Sequence, residues 1–270
     1  MTNKEYHARA EISKSDLDLL AKSPYLLKLK KDGKYQSEAT TSQILGSAVH
    51  KLVLEQDDFF NEFAIEPNCD KRTKDGKAEF NEFLAKNSHK TIIKADEFEK
   101  ADLIARSVLE MQGTANFLKD GKAEQSYFSE IDGVKVKCRP DFYNEKLGLI
   151  IDLKTTSDGS PNGFMKSIAN FNYHIQTAFY TDIMRSLGKR VNKFLFIAVE
   201  TKEPYLVGFY ELDLSAIDKG REKYKELLNL WKWCVENNYS KKLTSGIRAH
   251  ISECANGKRK TAYQHKWRYV

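Results

Sequence analysis

The sequence has 270 residues, of which 41% are hydrophobic and 30% are charged, and its net charge is +6 at pH 7. This composition excludes an intrinsically disordered chain and suits one globular domain with a full core. No apolar run approaches the roughly 20 residues that a bilayer-spanning helix needs. The first residues also lack the apolar stretch of a signal peptide, so we expect a cytoplasmic protein that does not enter a membrane.

The cysteines carry no sign of a zinc or redox site. The sequence contains four of them, and no pair has C-x-x-C spacing: Cys69, Cys138, Cys234 and Cys254. The simplest interpretation is that the cysteines are reduced thiols. Four cysteines are enough to bind an iron–sulfur cluster, although their spacing differs from that of the usual cluster-binding motifs.

The first 120 residues are predicted to be mainly helical. Ser13 or Ser15 is a suitable N-cap for the first helix, and Pro24 ends or offsets it. Residues 61–75 look irregular, since they combine a proline, an asparagine and a cluster of charges. Apolar residues recur at helical spacing in four segments: residues 12–22, 42–56, 76–86 and 95–111.

After residue 120 the period of the apolar residues changes to that of strands. Residues 125–131 and 134–138 alternate on either side of Asp132-Gly133, which predicts a β-hairpin. Residues 148–153 are almost all apolar, as in a strand that is buried on both faces. The remaining pattern predicts a loop, a helix, two strands and a closing helix, over residues 157–163, 171–187, 194–200, 205–212 and 214–235.

This order of elements predicts an α/β fold with a central sheet and an N-terminal helical portion. We expect a single domain over residues 1–270. Within it, residues 1–120 would be mainly helical, residues 121–240 would form the α/β core, and residues 241–270 would form a basic C-terminal tail.

An acid and a lysine stand at the end of the apolar strand. Asp152 and Lys154 are two residues apart, so their side chains share one face, and Asp141 closes the preceding hairpin strand. Charges at such a position are costly unless they pair, bind a metal or meet a substrate. Two nearby carboxylates favour Mg²⁺ or Mn²⁺, and a lysine beside them suits phosphodiester hydrolysis. By itself, an Asp-x-Lys pair is more often an ordinary salt bridge.

Four motifs in order resemble those of the PD-(D/E)xK nucleases. Pro140-Asp141 is followed, after ten residues, by Asp152-Leu153-Lys154. The segment from Gly46 to His50 resembles the G-x-x-x-H motif of RecB-like members, and the segment from Gln176 to Tyr180 resembles their Q-x-x-x-Y motif. The chain is most similar to the RecE-type (exodeoxyribonuclease VIII) nuclease domains and related phage exonucleases, up to about residue 235. The resemblance implies a restriction-endonuclease-like mixed central sheet flanked by helices.

The resemblance also implies a metal site. His50, Asp141, Asp152 and the main-chain carbonyl of Leu153 would bind the ion, which would be Mg²⁺ in the cell, with Mn²⁺ as a substitute. Judged alone, His50 is more often a core or surface histidine. Glu124 opens a strand and would be either a further carboxylate of the site or a solvated surface residue.

Three more residues would serve the reaction. Lys154 would be the catalytic lysine. Gln176 and Tyr180 are i and i+4 on one helix face, so both could reach the site and position the lysine, the scissile phosphate or the DNA end. The alternative for this pair is amphipathic packing, with Tyr180 in the core.

From the relatives we expect processive 5′-to-3′ degradation of linear double-stranded DNA, which leaves 3′ overhangs for recombination. We also expect a homo-oligomeric ring, preferably a tetramer, a single-strand annealing protein as partner, and a phage or prophage origin. The alternatives are an endonuclease or RecB-like nuclease on the same fold, and a non-catalytic DNA-binding protein with a decayed site.

Two basic segments are further candidates for DNA contact. The tail over residues 257–270 interleaves lysines and arginines with aromatic residues, which suits phosphate contact and base stacking. Lys71, Arg72 and Lys74 form a basic loop that could contact the backbone. A solvated charge run is the alternative for both segments.

Overall fold

A computed structural model describes residues 1–36 and 38–237. The predicted basic tail over residues 241–270 and Cys254 lie outside the described residues. The three other cysteines, Cys69, Cys138 and Cys234, are free thiols.

Within the described ranges, the chain forms eleven α-helices and nine β-strands, with one 3₁₀ turn at Gln56–Asp58. The helices are α1 Asn3–Ala8, α2 Lys14–Lys22, α3 Pro24–Lys31, α4 Thr41–Leu54, α5 Phe59–Glu62, α6 Lys74–Lys86, α7 Ala95–Glu110, α8 Thr114–Phe117, α9 Pro161–Asn170, α10 Tyr173–Ser186 and α11 Leu214–Glu236. The strands are β1 Phe63–Ile65, β2 Thr91–Ile93, β3 Gly121–Ala123, β4 Tyr127–Ile131, β5 Val134–Cys138, β6 Phe142–Asn144, β7 Leu149–Thr156, β8 Lys193–Glu200 and β9 Val207–Glu211. Among these helices, none combines the length and apolarity that crossing a bilayer requires.

Five strands form the central sheet, in the order β3-β6-β7-β8-β9. The pair β7–β8 is parallel, and the other three pairs are antiparallel, so the sheet is mixed. Two small sheets stand beside it, the parallel pair β1–β2 and the antiparallel hairpin β4–β5. The predicted fold class, an α/β protein with a mixed central sheet flanked by helices, is confirmed.

The strand β7 separates two apolar clusters, because its side chains alternate between the faces of the sheet. Ile150 packs into the cluster that contains α2, α10, α11 and the hairpin. Ile151 and Leu153 pack into the opposite cluster, which contains α4 and α7. The same alternation directs Asp152 and Lys154 toward α10, so the functional face of β7 is the face that α10 covers.

Local signals in the sequence explain where several elements begin. Ser13 caps α2, and Asp16 reciprocates by accepting from the amide of Ser13, which completes a capping box. The turn of the hairpin has φ of 50° at Asp132 and 78° at Gly133, as the predicted Asp-Gly turn requires.

Three local predictions were wrong. The hairpin β4–β5 is a sheet of its own, so Asp141 does not end a strand next to β7 but precedes β6, the true neighbour of β7. The predicted loop over residues 157–163 already contains the start of α9, which Ser160 caps and Pro161 begins. Residues 61–75 are only partly irregular, because they include the strand β1.

Candidate metal and catalytic centre

Three potential metal ligands meet where β3 and β6 pair. His50 of α4, Glu124 and Asp141 each offer a ligand atom, and these atoms lie within 4.8 Å of one another. Nδ1 of His50 lies 3.3 Å from Oδ2 of Asp141. Glu124 follows β3 and Asp141 precedes β6, and the amide of Glu124 donates to the carbonyl oxygen of Asp141 at 3.0 Å. The pairing of the two strands therefore continues by one residue and places the two carboxylates side by side.

Asp141 is also tied to the neighbouring strand β7. The amide of Leu153 donates a hydrogen bond of 2.7 Å to Oδ2 of Asp141. Because the N–H and C=O of one strand residue point to the same side of the strand, the carbonyl of Leu153 is directed toward Asp141 as well. The predicted main-chain ligand thus lies on the edge of β7 that faces Asp141.

Asp152, which precedes Leu153 on β7, is fully buried. Its Oδ1 accepts a short hydrogen bond from Nε2 of Gln176. Its Oδ2 lies 2.5 Å from Nζ of Lys154. Lys154 supplies positive charge to Oδ2, but no group among the described residues donates a well-aligned hydrogen bond to this oxygen.

The lysine is held close to the carboxylates and beside an aromatic ring. Burial alone would lower the pKa of Lys154, but Asp152 and Asp141 outweigh it and keep that pKa above its usual value. Nζ of Lys154 lies 4.9 Å from the centre of the Tyr173 ring. Lys154 is therefore a charged ammonium group at neutral pH, next to the two carboxylates.

The two residues of the Q-x-x-x-Y motif have different surroundings. Gln176 is buried and contacts Asp152 directly. Tyr180 packs against the core, with its ring centre 6.4 Å from that of Phe194. Burial raises the pKa of Tyr180 well above its usual value, with smaller contributions from charges that include Asp152 and Asp141, so its phenol is neutral.

Glu124 is the residue of this centre that the sequence left undecided. Burial raises its pKa to about 8, and the Asp141 carboxylate adds to the rise. The only sequence signal was its place at the start of a predicted strand. Conversely, Asp152 does not belong to the three-residue group, since its oxygens face Gln176 and Lys154 instead.

The donor set fits a hard divalent cation. One imidazole and several carboxylate oxygens are suitable ligands for Mg²⁺ or Mn²⁺. Burial raises the pKa of Asp152 to about 6, against the opposing effect of Lys154 and with a further rise from Asp141. The pKa values of Glu124 and Asp152 are both raised, by burial first and by the neighbouring Asp141 as well, so a cation bound among these carboxylates would stabilise their charged forms.

Two of the three cations in the basic loop before α6, Lys71 and Arg72, are paired locally. Nζ of Lys71 lies 2.6 Å from Oε1 of Glu66 and 3.8 Å from the centre of the Phe80 ring. Arg72 forms an ion pair with Asp70 at 3.0 Å. These contacts favour the solvated charge run over a role in DNA contact.

Comparison with known proteins assigns the chain to a family. Residues 13–247 match the family described as "PDDEXK-like domain of unknown function (DUF3799)". A crystal structure of a "putative exonuclease" from Eubacterium rectale has the same fold, with a TM-score of 0.60 and 17% identity over 84% of this chain and 85% of that one. A "phage related exonuclease" from Haemophilus somnus matches with a TM-score of 0.35 and 14% identity, over 76% of this chain and 98% of that one. A search of curated proteins gave no match.

The family match covers most of the chain and includes every residue of the centre described above. It confirms the resemblance to PD-(D/E)xK nucleases that the four motifs indicated. The chain therefore belongs to the DUF3799 family of PDDEXK-like domains.

Proposed function

We propose that the protein is a metal-dependent exonuclease that hydrolyses the phosphodiester bonds of linear double-stranded DNA. The observation that carries this proposal is the contact between Lys154 and Asp152 on β7, beside the group formed by His50, Glu124 and Asp141. A nuclease of this kind needs a cation site and a separate positive group at the scissile phosphate. The centre offers both within one edge of the sheet.

Mg²⁺ is the proposed cellular ion, and Mn²⁺ would substitute for it. His50, Asp141, Glu124 and the carbonyl of Leu153 would hold it, and Asp152 would join them through Oδ2, the oxygen that also contacts Lys154. When bound, the ion would polarise a phosphoryl oxygen and lower the pKa of a coordinated water.

The chain's own residues have distinct roles in this proposal. Asp152 holds the ammonium group of Lys154 in place, and Gln176 fixes the orientation of Asp152 through its amide. Lys154 neutralises the negative charge that develops on the phosphate as the bond to the leaving oxygen breaks. Tyr180 packs against the core on the inner face of α10 and so fixes the helix in the position that Gln176 needs.

The polarity, processivity, oligomeric state and biological role that we propose rest on the RecE-type resemblance. Degradation would be processive and 5′-to-3′, and it would leave 3′ overhangs for recombination by a single-strand annealing protein. A homo-oligomeric ring, preferably a tetramer, would explain processivity, because an enclosed strand cannot easily leave. The bacterial cytoplasm, with a phage or prophage origin, fits this role.

The test compares linear with covalently closed circular duplex DNA, each with Mg²⁺ and with EDTA. We expect the wild-type protein to release nucleotides from linear DNA only, and only with Mg²⁺. Asp152→Ala should be inactive, whereas Asp57→Ala, which changes an exposed aspartate in the 3₁₀ turn, should match the wild type.

Two results would contradict the proposal. If circles are cut as fast as linear DNA, the protein is an endonuclease. If the wild type digests DNA no faster than Asp152→Ala, the site is not catalytic, and a DNA-binding role remains.

A further inference from the structure

A large aromatic side chain is exposed beside the catalytic lysine. Phe171, between α9 and α10, is 58% exposed. Its ring is stacked on that of Tyr173, with 5.7 Å between ring centres and 25° between planes. Tyr173 in turn stacks on the core residue Phe196 at 5.6 Å and lies 4.9 Å from Nζ of Lys154. The outermost ring of this stack therefore faces solvent close to the proposed phosphate-binding cation.

The position of Phe171 is fixed on both sides by the backbone. Its amide donates to the carbonyl of Ser167 at 2.9 Å, which caps α9. Its carbonyl accepts from Nζ of Lys14 at 2.8 Å. The next residue, Asn172, has φ of 55° and turns the chain into α10. The backbone of Phe171 is thus fixed, and stacking on Tyr173 rather than burial orients its ring.

An exposed ring next to an ammonium group complements a nucleotide. The phosphate of a nucleotide needs a positive partner, and its base is a flat π-system that stacks on aromatic side chains whatever its sequence. Base and phosphate of one nucleotide are separated by a sugar, and the ring of Tyr173 likewise separates Phe171 from the ammonium group of Lys154. A base inside a duplex already stacks on both of its neighbours, so the base that is free to stack here is a terminal one, and it reaches the ring most readily when it is unpaired.

We propose that Phe171, supported by Tyr173, is a stacking platform for the base of an unpaired terminal nucleotide whose phosphate lies at Lys154. The inference deepens the proposed function and rests on it, because it specifies that the nuclease holds a frayed strand end. It makes Phe171 a substrate-binding residue.

The test measures binding in EDTA, in which the proposed hydrolysis does not proceed. The probe is a short single-stranded oligonucleotide with 2-aminopurine as its terminal base, prepared with the label at the 5′ or at the 3′ end. Stacking on an aromatic ring changes the fluorescence of this base. A matched oligonucleotide carries an abasic residue at the same terminal position.

We expect the wild type to quench 2-aminopurine at one end, and Phe171→Ala to abolish the quenching and to bind about 10-fold more weakly, as the loss of one base–aromatic stack implies. Phe171→Trp should retain quenching. Phe60→Ala is the matched control, because Phe60 is also 58% exposed but packs against Phe59 and Phe98 in the opposite apolar cluster. It should behave as the wild type does.

The abasic oligonucleotide separates stacking from a general loss of structure. It should bind the wild type as weakly as the intact oligonucleotide binds Phe171→Ala, and Phe171→Ala should weaken it no further. The inference is overturned if Phe171→Ala quenches and binds like the wild type, or if it weakens the abasic and intact oligonucleotides equally. Failure of the proposed function has a different signature, namely intact quenching by a wild-type protein that does not hydrolyse DNA with Mg²⁺.

Discussion

Gly46 of α4 and Thr155 of β7 approach so closely that a Cβ atom on Gly46 would lie 3.2 Å from Oγ1 of Thr155. This contact brings α4 against β7 one turn before His50. The glycine of the G-x-x-x-H motif thus has a physical reason, since even a Cβ atom there requires Thr155 to shift, and a larger side chain would push the helix away from the strand. The distance from His50 to Asp141 depends on this approach.

We predict that Gly46→Val weakens Mn²⁺ binding by about 10-fold, because the added isopropyl group moves α4 and His50 away from Asp141. Overpacking at this contact should also lower the free energy of unfolding by about 2 kcal/mol. Calorimetric titration with Mn²⁺ and urea unfolding measure the two effects. Ser47→Val is the control, because it places valine at an exposed position of the same helix. Equal Mn²⁺ affinity in the two variants would refute the positioning role of Gly46.

Glu124→Gln should raise the stability of the metal-free protein and reduce the additional stability that Mn²⁺ gives. Without metal, it removes one of two adjacent half-buried carboxylates, so we expect the free energy of unfolding to rise by about 1 kcal/mol, or Tm to rise by about 3 °C. With Mn²⁺, it removes a ligand, so the rise in Tm on adding metal should be smaller than that of the wild type. Thermal unfolding with EDTA and with Mn²⁺ measures both effects.

The control for this variant is Glu130→Gln on β4, which changes an exposed glutamate outside the centre and should alter neither value. A Glu124→Gln protein that is less stable in EDTA, or that gains as much from Mn²⁺ as the wild type, would show that Glu124 is not part of a cation site.

The sequence predicted those parts of the fold that local periodicity encodes. The helices α2, α4 and α7 and the strand β7 follow from the spacing of their apolar residues. The alternation along β7 also predicted that Asp152 and Lys154 share one face, and the contact between them confirms it. These features depend only on neighbours within a few residues.

The features that the sequence did not reveal depend on long-range pairing. β3 has only three residues, and its register with β6 is what places Glu124 beside Asp141. The Asp132-Gly133 turn specifies a hairpin but not the sheet to which the hairpin belongs. The start of α9 was ambiguous for another reason, since Ser160 and Pro161 are as typical of a loop as of a helix N-terminus.

Lys154→Met should reduce the rate of DNA hydrolysis by about 100-fold or more, because the developing charge on the phosphate loses its positive partner. Mn²⁺ affinity should change little, since the lysine is not a ligand. Rates on linear DNA and calorimetric titration with Mn²⁺ distinguish this from loss of the metal. Loss of Mn²⁺ binding in parallel with activity would assign Lys154 a structural role instead.

The same substitution should also destabilise the fold, because it leaves the buried Asp152 without its cation, at a cost of about 3 kcal/mol. Adding Asp152→Asn to Lys154→Met removes the unpaired charge. We therefore expect the double variant to recover most of the stability in urea unfolding but none of the activity. If it stays as unstable as Lys154→Met, the ion pair does not account for the loss.

Asp16 should stabilise the protein in a pH-dependent manner, from a position on α2 that is not part of the metal centre. Burial alone would raise its pKa, but Lys31 and Lys30, at 3.0 Å and 2.7 Å, outweigh burial and lower it to about 2. Since the folded pKa lies below the usual value of 3.8, the carboxylate stabilises the fold above about pH 4, and this contribution is lost as the pH falls toward 2. The shift corresponds to about 2 kcal/mol.

Asp16→Asn should therefore unfold at lower urea than the wild type at pH 6, and the difference should shrink as the pH falls from 4 toward 2. Asp32→Asn is the control, because Asp32 pairs with Lys28 at the surface, where an ion pair contributes little. A difference between Asp16→Asn and the wild type that is independent of pH would mean that Asp16 acts only through its hydrogen bonds at the start of α2. A difference that shrinks as the pH falls would show that the ion pairs of Asp16 with Lys30 and Lys31 hold α2 against α3. These ion pairs would then also hold Lys14, at the start of α2, in contact with the backbone of Phe171.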